Sequence, residues 1–166
     1  MGTTLGQVPE YELKSVYLFD FAKFVEWPQG TFSNVDTPFL IGVLGDDPFG
    51  TLLEDAVRDK SVDGHVIRLK RFDHFDGTQS ASLRRCQILF IAYSEKGRLK
   101  EILLALKGAS VLTVSEIEGF PLLGGMILFD LDGDRVTLGI NPRAARMANL
   151  TVNSKLLHVA KIYQSE

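Results

Sequence analysis

The chain has 166 residues, long enough for one domain with a single sizeable core, and its 45% hydrophobic and 23% charged content is that of a globular protein rather than a disordered or fibrous one. Its 18 basic and 21 acidic side chains leave a net charge of -3, which offers no concentrated basic surface for nucleic acid. No apolar run approaches the length that spans a bilayer, so direct membrane insertion is not expected, and the single cysteine, Cys86, excludes a disulfide within the chain.

Residues 1–10, MGTTLGQVPE, lack the charged and apolar regions of a secretory signal and read as a tail, with a Met1-Gly2 start that suits a removed leader. Residues 11–166 read as one domain. A helix is expected over 10–26, where Val16, Tyr17, Phe21, Phe24 and Val25 recur at helical spacing and Trp27-Pro28 ends it. The apolar arc also takes in Leu13, Leu18 and Phe19, more than one sheet face requires. This marks Tyr17, Phe24, Trp27 and Pro28 as candidates for a partner or homodimer surface, with core packing as the competing explanation.

Phe39 to Leu44 is a short apolar run that suits a strand buried on both faces. Gly45 breaks it. Asp47 is placed to cap the next helix and Pro48 to occupy its first position, giving a helix over 48–59 with Leu52, Leu53, Ala56 and Val57 inward. Val66, Ile67 and Leu69 predict a second strand over 66–71, an edge strand carrying Arg68, Lys70 and Arg71. Residues 87–93 form a third strand, and Ser94 is placed to cap a helix over 95–106 with Leu99, Ile102, Leu103 and Leu106 as its buried stripe. A fourth strand over 110–114 ends at Ser115 and Glu118, which have capping-box spacing.

The pattern then changes. Residues 126–131 and 135–140 are apolar runs joined by Asp132-Gly133-Asp134, a hairpin signal. Asn141-Pro142 opens a helix through Ala148, and residues 154–162 read as a final helix. The expected fold is therefore α/β, a Rossmann-like three-layer domain whose mostly parallel sheet ends in an antiparallel hairpin.

Chemistry is sparse. His65, His74 and His158 are scattered and outside any metal-binding spacing, so no metal, cofactor or catalytic residue is assigned. Cys86 starts a strand, away from where parallel-sheet sites lie, and reads as a buried inert thiol. The strand ends should bring together Asp46, Asp47, Tyr93, Ser94, Ser115 and Glu116, most of them accounted for as helix caps. In the loop Gly45 to Gly50, Asp46 and Asp47 stand where a phosphate would bind and Pro48 removes an amide donor, which argues against a nucleotide.

Taken together, FAKFVEWP at 21–28, IGVLGDDPFG at 41–50, CQILFIAYSE at 86–95, VLTVSEIEGF at 111–120, GGMILF at 124–129, IN at 140–141 and SKLLHVAKI at 154–162 resemble the YfiR family over nearly the whole domain. The chain departs from the family pattern at Asp20, Gly139 and Asn153, and its single cysteine removes any disulfide switch within one chain. The resemblance implies a small periplasmic α/β protein, dimeric in many relatives, that is not an enzyme. It also implies an inner-membrane sensor or diguanylate cyclase as partner, restrained through its periplasmic part. The alternative is a periplasmic small-ligand sensor feeding another partner.

Overall fold

The structure, a computed structural model, describes residues 7–164; residues 1–6 of the expected tail lie outside them, whereas residues 7–10, also read as tail, belong to the first helix, which starts three residues ahead of the expected position. The chain runs α1 (Gln7–Phe24), β1 (Val25–Glu26), β2 (Phe39–Leu44), α2 (Thr51–Val57), β3 (Ser61–Val62), β4 (His65–Phe72), α3 (Ser80–Leu83) and β5 (Ile88–Ile91). A 3₁₀ turn over Tyr93–Arg98 leads into α4 (Leu99–Leu106), then β6 (Leu112–Ser115) and a second 3₁₀ turn over Phe120–Leu123. The remainder is β7 (Ile127–Asp132), β8 (Arg135–Ile140), α5 (Pro142–Met147), β9 (Thr151–Val152), α6 (Ser154–His158) and β10 (Lys161–Ile162).

The main sheet has eight strands in the order β10-β8-β7-β6-β5-β2-β4-β3. Strands β4, β2, β5, β6 and β7 run parallel, and β7 turns into β8 as an antiparallel hairpin with Asp132 opposite Arg135. Gly133, with φ 62°, supplies the left-handed residue that so tight a turn requires. The expected mostly parallel α/β sheet with its closing hairpin is therefore the observed one.

Helices cover both faces. On one face Leu18 and Phe21 of α1 and Leu53 and Val57 of α2 pack on Ile41, Val43, Phe90, Val114 and Phe129. On the other, Leu99, Ile102 and Leu106 of α4 pack on Leu44, Leu89, Ile91 and Leu128. The alternation along β2 and β5 sends successive side chains to opposite layers, as a two-sided parallel sheet demands. Gly42 is the tight point of the second layer, where a Cβ would lie 2.9 Å from the buried Cys86 sulfur.

Several element boundaries differ from expectation for identifiable reasons. Helix α2 begins at Thr51, not Pro48, because Gly50 adopts φ 55° and the Asp47 carboxylate accepts the Phe49 N–H instead of capping a helix. Residues 93–98 form a 3₁₀ turn ahead of α4, so Ser94 is not an α-helix cap; its hydroxyl accepts the Asp46 N–H at 2.9 Å. Ser115 donates to the Ile91 carbonyl and accepts from Ile117 N–H, and no α-helix follows it.

The expected last helix stops at His158, since Lys161–Ile162 leave it to pair with β8. The Asn141 cap does form, its side chain accepting the Ala144 N–H at 3.1 Å. Helix α1 ends at Phe24 rather than at 26, because Val25 and Glu26 pair with Val152 and Thr151 in a separate two-stranded sheet.

Candidate functional site

The chain passes from β2 outward to β4 and then back across β2 to β5, so the sheet reverses direction between β2 and β5. In open α/β sheets ligands bind in the crevice outside the carboxyl ends of the two strands at such a point. Here that place is filled by the protein's own side chains. Gly45, with φ 94°, lets Ser94 and Glu95 approach so closely that a Cβ would meet the Ser94 hydroxyl at 2.6 Å and Glu95 at 2.8 Å. The amides of Asp46 and Phe49 already donate to Ser94 and Asp47, so they have no free N–H to offer an anion.

Glu95 is the hub of this edge. Its side chain is fully buried and accepts the Phe75 N–H at 2.6 Å, with the His74 ring Nδ1 at 2.7 Å and Arg98 at 3.4 Å. Burial alone pushes the carboxyl up, but the Phe75 amide, the His74 ring and the Arg98 charge outweigh it and hold the pKa below the usual carboxylate range. His74 moves the other way, raised chiefly by its hydrogen bond to Glu95 and next by that carboxylate's charge. Its Nε2 lies 3.5 Å from Asp46, whose side chain is exposed, whereas Asp47 is mostly buried and bonded to Arg71 at 2.6 Å. The two aspartates of this carboxyl-edge loop thus have separate partners.

Further along the same edge a second ionic cluster ties α1 to the end of β6. Lys14 is buried between Glu10 and Glu116, 2.7 Å from the latter, and Tyr11 donates to Glu116 at 2.9 Å. Burial and then the Glu116 charge push the Tyr11 phenol well above its ordinary pKa, so it remains a donor. These groups satisfy one another. Cys86 is unreactive, its thiol pushed up to about 11 by burial, with the Lys70 charge opposing.

The opposite, amino edge of the sheet is open. Trp27 sits there, half-buried, its ring edge-on to Phe39 at 5.0 Å and its Nε1–H donating to the Ser110 carbonyl at 3.1 Å. Residues 28–31 separate a cleft of about 680 Å³ beside Trp27, Phe32 and His65 from one of about 560 Å³ beside Arg84, Gln87 and Ser110. Pro28 turns the chain between them, its carbonyl accepting from Thr31.

Tyr17 and Phe24 are half-buried against the core, Tyr17 stacking on Phe21 at 6.1 Å. The structure therefore strings Tyr17, Phe24 and Trp27 along the inner side of α1 and its exit instead of gathering them in one exposed patch. Among the described side chains of α1, the large apolar ones that face solvent are Leu13, 42% exposed, and Val16, 43% exposed.

A third amino-edge cleft, of about 580 Å³, lies between α4, the Phe120–Leu123 turn and α5. Leu122, Leu123 and Met147 border it. Its walls come from segments that carry no motif, and its exposed apolar rim is Leu122 and Leu123 of the turn with Met147 at the end of α5. Among the described residues no group of three or more His, Cys, Asp or Glu side chains could hold a metal, and no helix is long and apolar enough to cross a membrane.

The YfiR/HmsC-like family matches the chain over residues 11–161, and the chain belongs to that family. No individual curated protein matches it.

Proposed function

We propose that this YfiR/HmsC-like protein is a non-enzymatic periplasmic regulator that represses a membrane-bound diguanylate cyclase by binding the cyclase's periplasmic part, and so lowers cyclic-di-GMP. The observation that carries this reading is the family match over nearly the whole domain. The filled switch-point crevice supports it, because the place where an α/β enzyme of this topology holds its substrate is occupied by Ser94 and Glu95. What remains accessible is surface, as a contact regulator needs. Leu13 and Val16 on α1 offer apolar area for a homodimer or partner, and Trp27 with Pro28 borders the open amino edge.

Deleting the gene in its native host and measuring cyclic-di-GMP by mass spectrometry tests the proposal. Cyclic-di-GMP should rise and fall again on complementation, and the tagged protein should co-purify with a membrane cyclase. Unchanged cyclic-di-GMP with no cyclase recovered would refute it.

A small-ligand sensor is the second reading, favoured by the apolar lining of the cleft between α4 and α5. Native mass spectrometry of protein purified from its host distinguishes the two, since a sensor should carry or take up a small molecule of defined mass.

A further inference from the structure

The cleft of about 680 Å³ beside Trp27, Phe32 and His65 has the volume of a small-ligand site. What its walls can offer a guest is set by where their hydrogens already go. The Trp27 Nε1–H donates to the Ser110 carbonyl at 3.1 Å, and the Thr31 hydroxyl donates to the Pro28 carbonyl at 2.6 Å. The His65 Nδ1 lies 2.6 Å from the Thr37 carbonyl, which can only accept, so Nδ1 carries the hydrogen and the neutral ring keeps its lone pair on Nε2. Three donors are thus committed to backbone carbonyls, and their side chains are left with a π face, a hydroxyl oxygen and a ring lone pair.

Charge points the same way. Glu26 and Asp63 line the cleft with exposed carboxylates that have no partner among the described residues. Glu26 comes from β1 and Asp63 from the turn between β3 and β4, so two segments well separated in the chain bring a carboxylate each to one cleft. Lys23, which also lines it, is held 3.3 Å from Asp20 on its own helix and 4.7 Å above the Phe19 ring. An anion would meet both carboxylates, and a neutral guest would leave both without a counter-charge. A metal ion is a poor match, because among the described residues no group of three or more His, Cys, Asp or Glu side chains could hold one. Trp27 and Phe32 add aromatic surface, which attracts a cation through the ring quadrupole and covers an alkyl stem.

We propose that this cleft binds an organic cation, an ammonium or guanidinium group on a short apolar stem, with Glu26 and Asp63 taking the charge and Trp27 and Phe32 the stem. Such a group has two sources, a free amine or a lysine or arginine side chain of a protein partner, and the chemistry of the site is the same for both. Its binding needs no cyclase, so it stands or falls apart from the repressor reading.

Trp27 is the only tryptophan of the chain, so intrinsic tryptophan fluorescence reports on this cleft. The purified full-length chain is titrated at constant ionic strength with n-butylammonium and n-butylguanidinium, with n-butanol and butyrate as the neutral and anionic counterparts. The two cations should shift the emission saturably at roughly millimolar concentration, as suits so few non-hydrogen atoms, while butanol and butyrate should not. Glu26→Gln and Asp63→Asn keep the fluorophore, and asparagine suits the left-handed φ of 49° at position 63. Each should weaken cation binding about three-fold, and the double variant about ten-fold, with the melting temperature unchanged.

Spermidine compared with the amidated tripeptides Ala-Lys-Ala and Ala-Arg-Ala separates the sources. Tighter binding of spermidine assigns the site to a free amine, and tighter binding of a tripeptide assigns it to a partner's side chain. Emission that neither butyl cation shifts, that butanol or butyrate shifts equally, or cation binding undiminished in the double variant overturns the site. The gene deletion reads cyclic-di-GMP and the titration reads the cleft, so either proposal can fail alone.

Discussion

At the carboxyl edge of the sheet Glu95 is bonded to His74 and Lys14 to Glu116, whereas at the amino edge Leu122, Leu123 and Met147 face solvent. The first edge is where parallel α/β proteins ordinarily hold a ligand, and this chain uses it to fasten α1 and the loop after β4 to the sheet. The second edge is ordinarily the stabilising side. A fold whose usual site is consumed by internal contacts keeps function available only on surfaces that the scaffold leaves open. The carboxyl edge should therefore govern stability and the amino edge association.

The sharpest way to break that division is Lys14→Ala. It removes the cation between two partly buried carboxylates, and stranding buried charge in this way costs roughly 3–5 kcal/mol. Urea unfolding should show that loss, while partner binding at low temperature is retained. A loss below about 1 kcal/mol would make the cluster an ordinary surface ion pair and leave the carboxyl edge without its latch.

Trp27→Ala probes the point where the division is least clean, since Trp27 stands at the amino edge yet packs on Phe39 and bonds to Ser110. Its removal should destabilise by about 3 kcal/mol, the low end for deleting an aromatic ring because this one is only half-buried. Thermal melting combined with sedimentation and pull-down checks it. Near-native melting with lost association would move Trp27 from the scaffold to the interface.

Gly125→Ala should link the two properties within the amino edge. A methyl group there displaces the Phe120 ring, at a cost of about 1–3 kcal/mol for overpacking, and shifts the turn that carries Leu122 and Leu123. Melting should fall modestly and recovery of the partner by pull-down should fall with it. Full recovery at a lowered melting temperature would show that association does not depend on the turn being held in place.

The sequence makes the alternation of strands and helices legible because buried strands such as 88–91 are short, wholly apolar and bounded by turn residues. The β7–β8 hairpin is equally legible from Asp132-Gly133-Asp134. Strand β10 is not, because Ile162 continues an apolar spacing that fits a helix, and only the unpaired edge of β8 turns that segment into a strand. Helix starts fail where a polar side chain has a better distant partner. Asp47 reaches Arg71 and Ser94 reaches Asp46, contacts across 24 and 48 residues that no local rule contains.

The site is the least legible part, for a related reason. His74 and Glu95 follow β4 and β5, which are separated in the sheet by β2, so their meeting requires the strand order as well as the strands. The aromatic residues of α1 stand out in the sequence but are mostly used by the core, while Leu122 and Leu123 carry no motif and are exposed only because two left-handed glycines turn them outward.

The smallest expected effect is a pH dependence from the His74–Glu95 pair, and its sign follows from the two shifts. His74 is raised above its ordinary 6.5, so its contribution is complete below 6.5 and disappears as pH rises through the higher folded value. Glu95 is held below its ordinary 4.5, so its contribution is complete above 4.5 and disappears as pH falls through the lower folded value. Both contributions are complete together between pH 4.5 and 6.5, given those two ordinary values. Asp46 and Arg98 face the same ring with opposite effects, and the ring is more than half exposed, so the change stays small. Melting temperature measured from pH 5 to 9 for the wild type and for His74→Asn, which keeps a donor near the Nδ1 position but cannot titrate, isolates it. The wild type should lose stability relative to the variant as pH rises past neutrality, with partner binding tracking only the folded fraction. Parallel curves for the two proteins would remove His74 from the carboxyl-edge latch, and a pH-dependent change in binding without one in melting would mean that this edge, too, takes part in association.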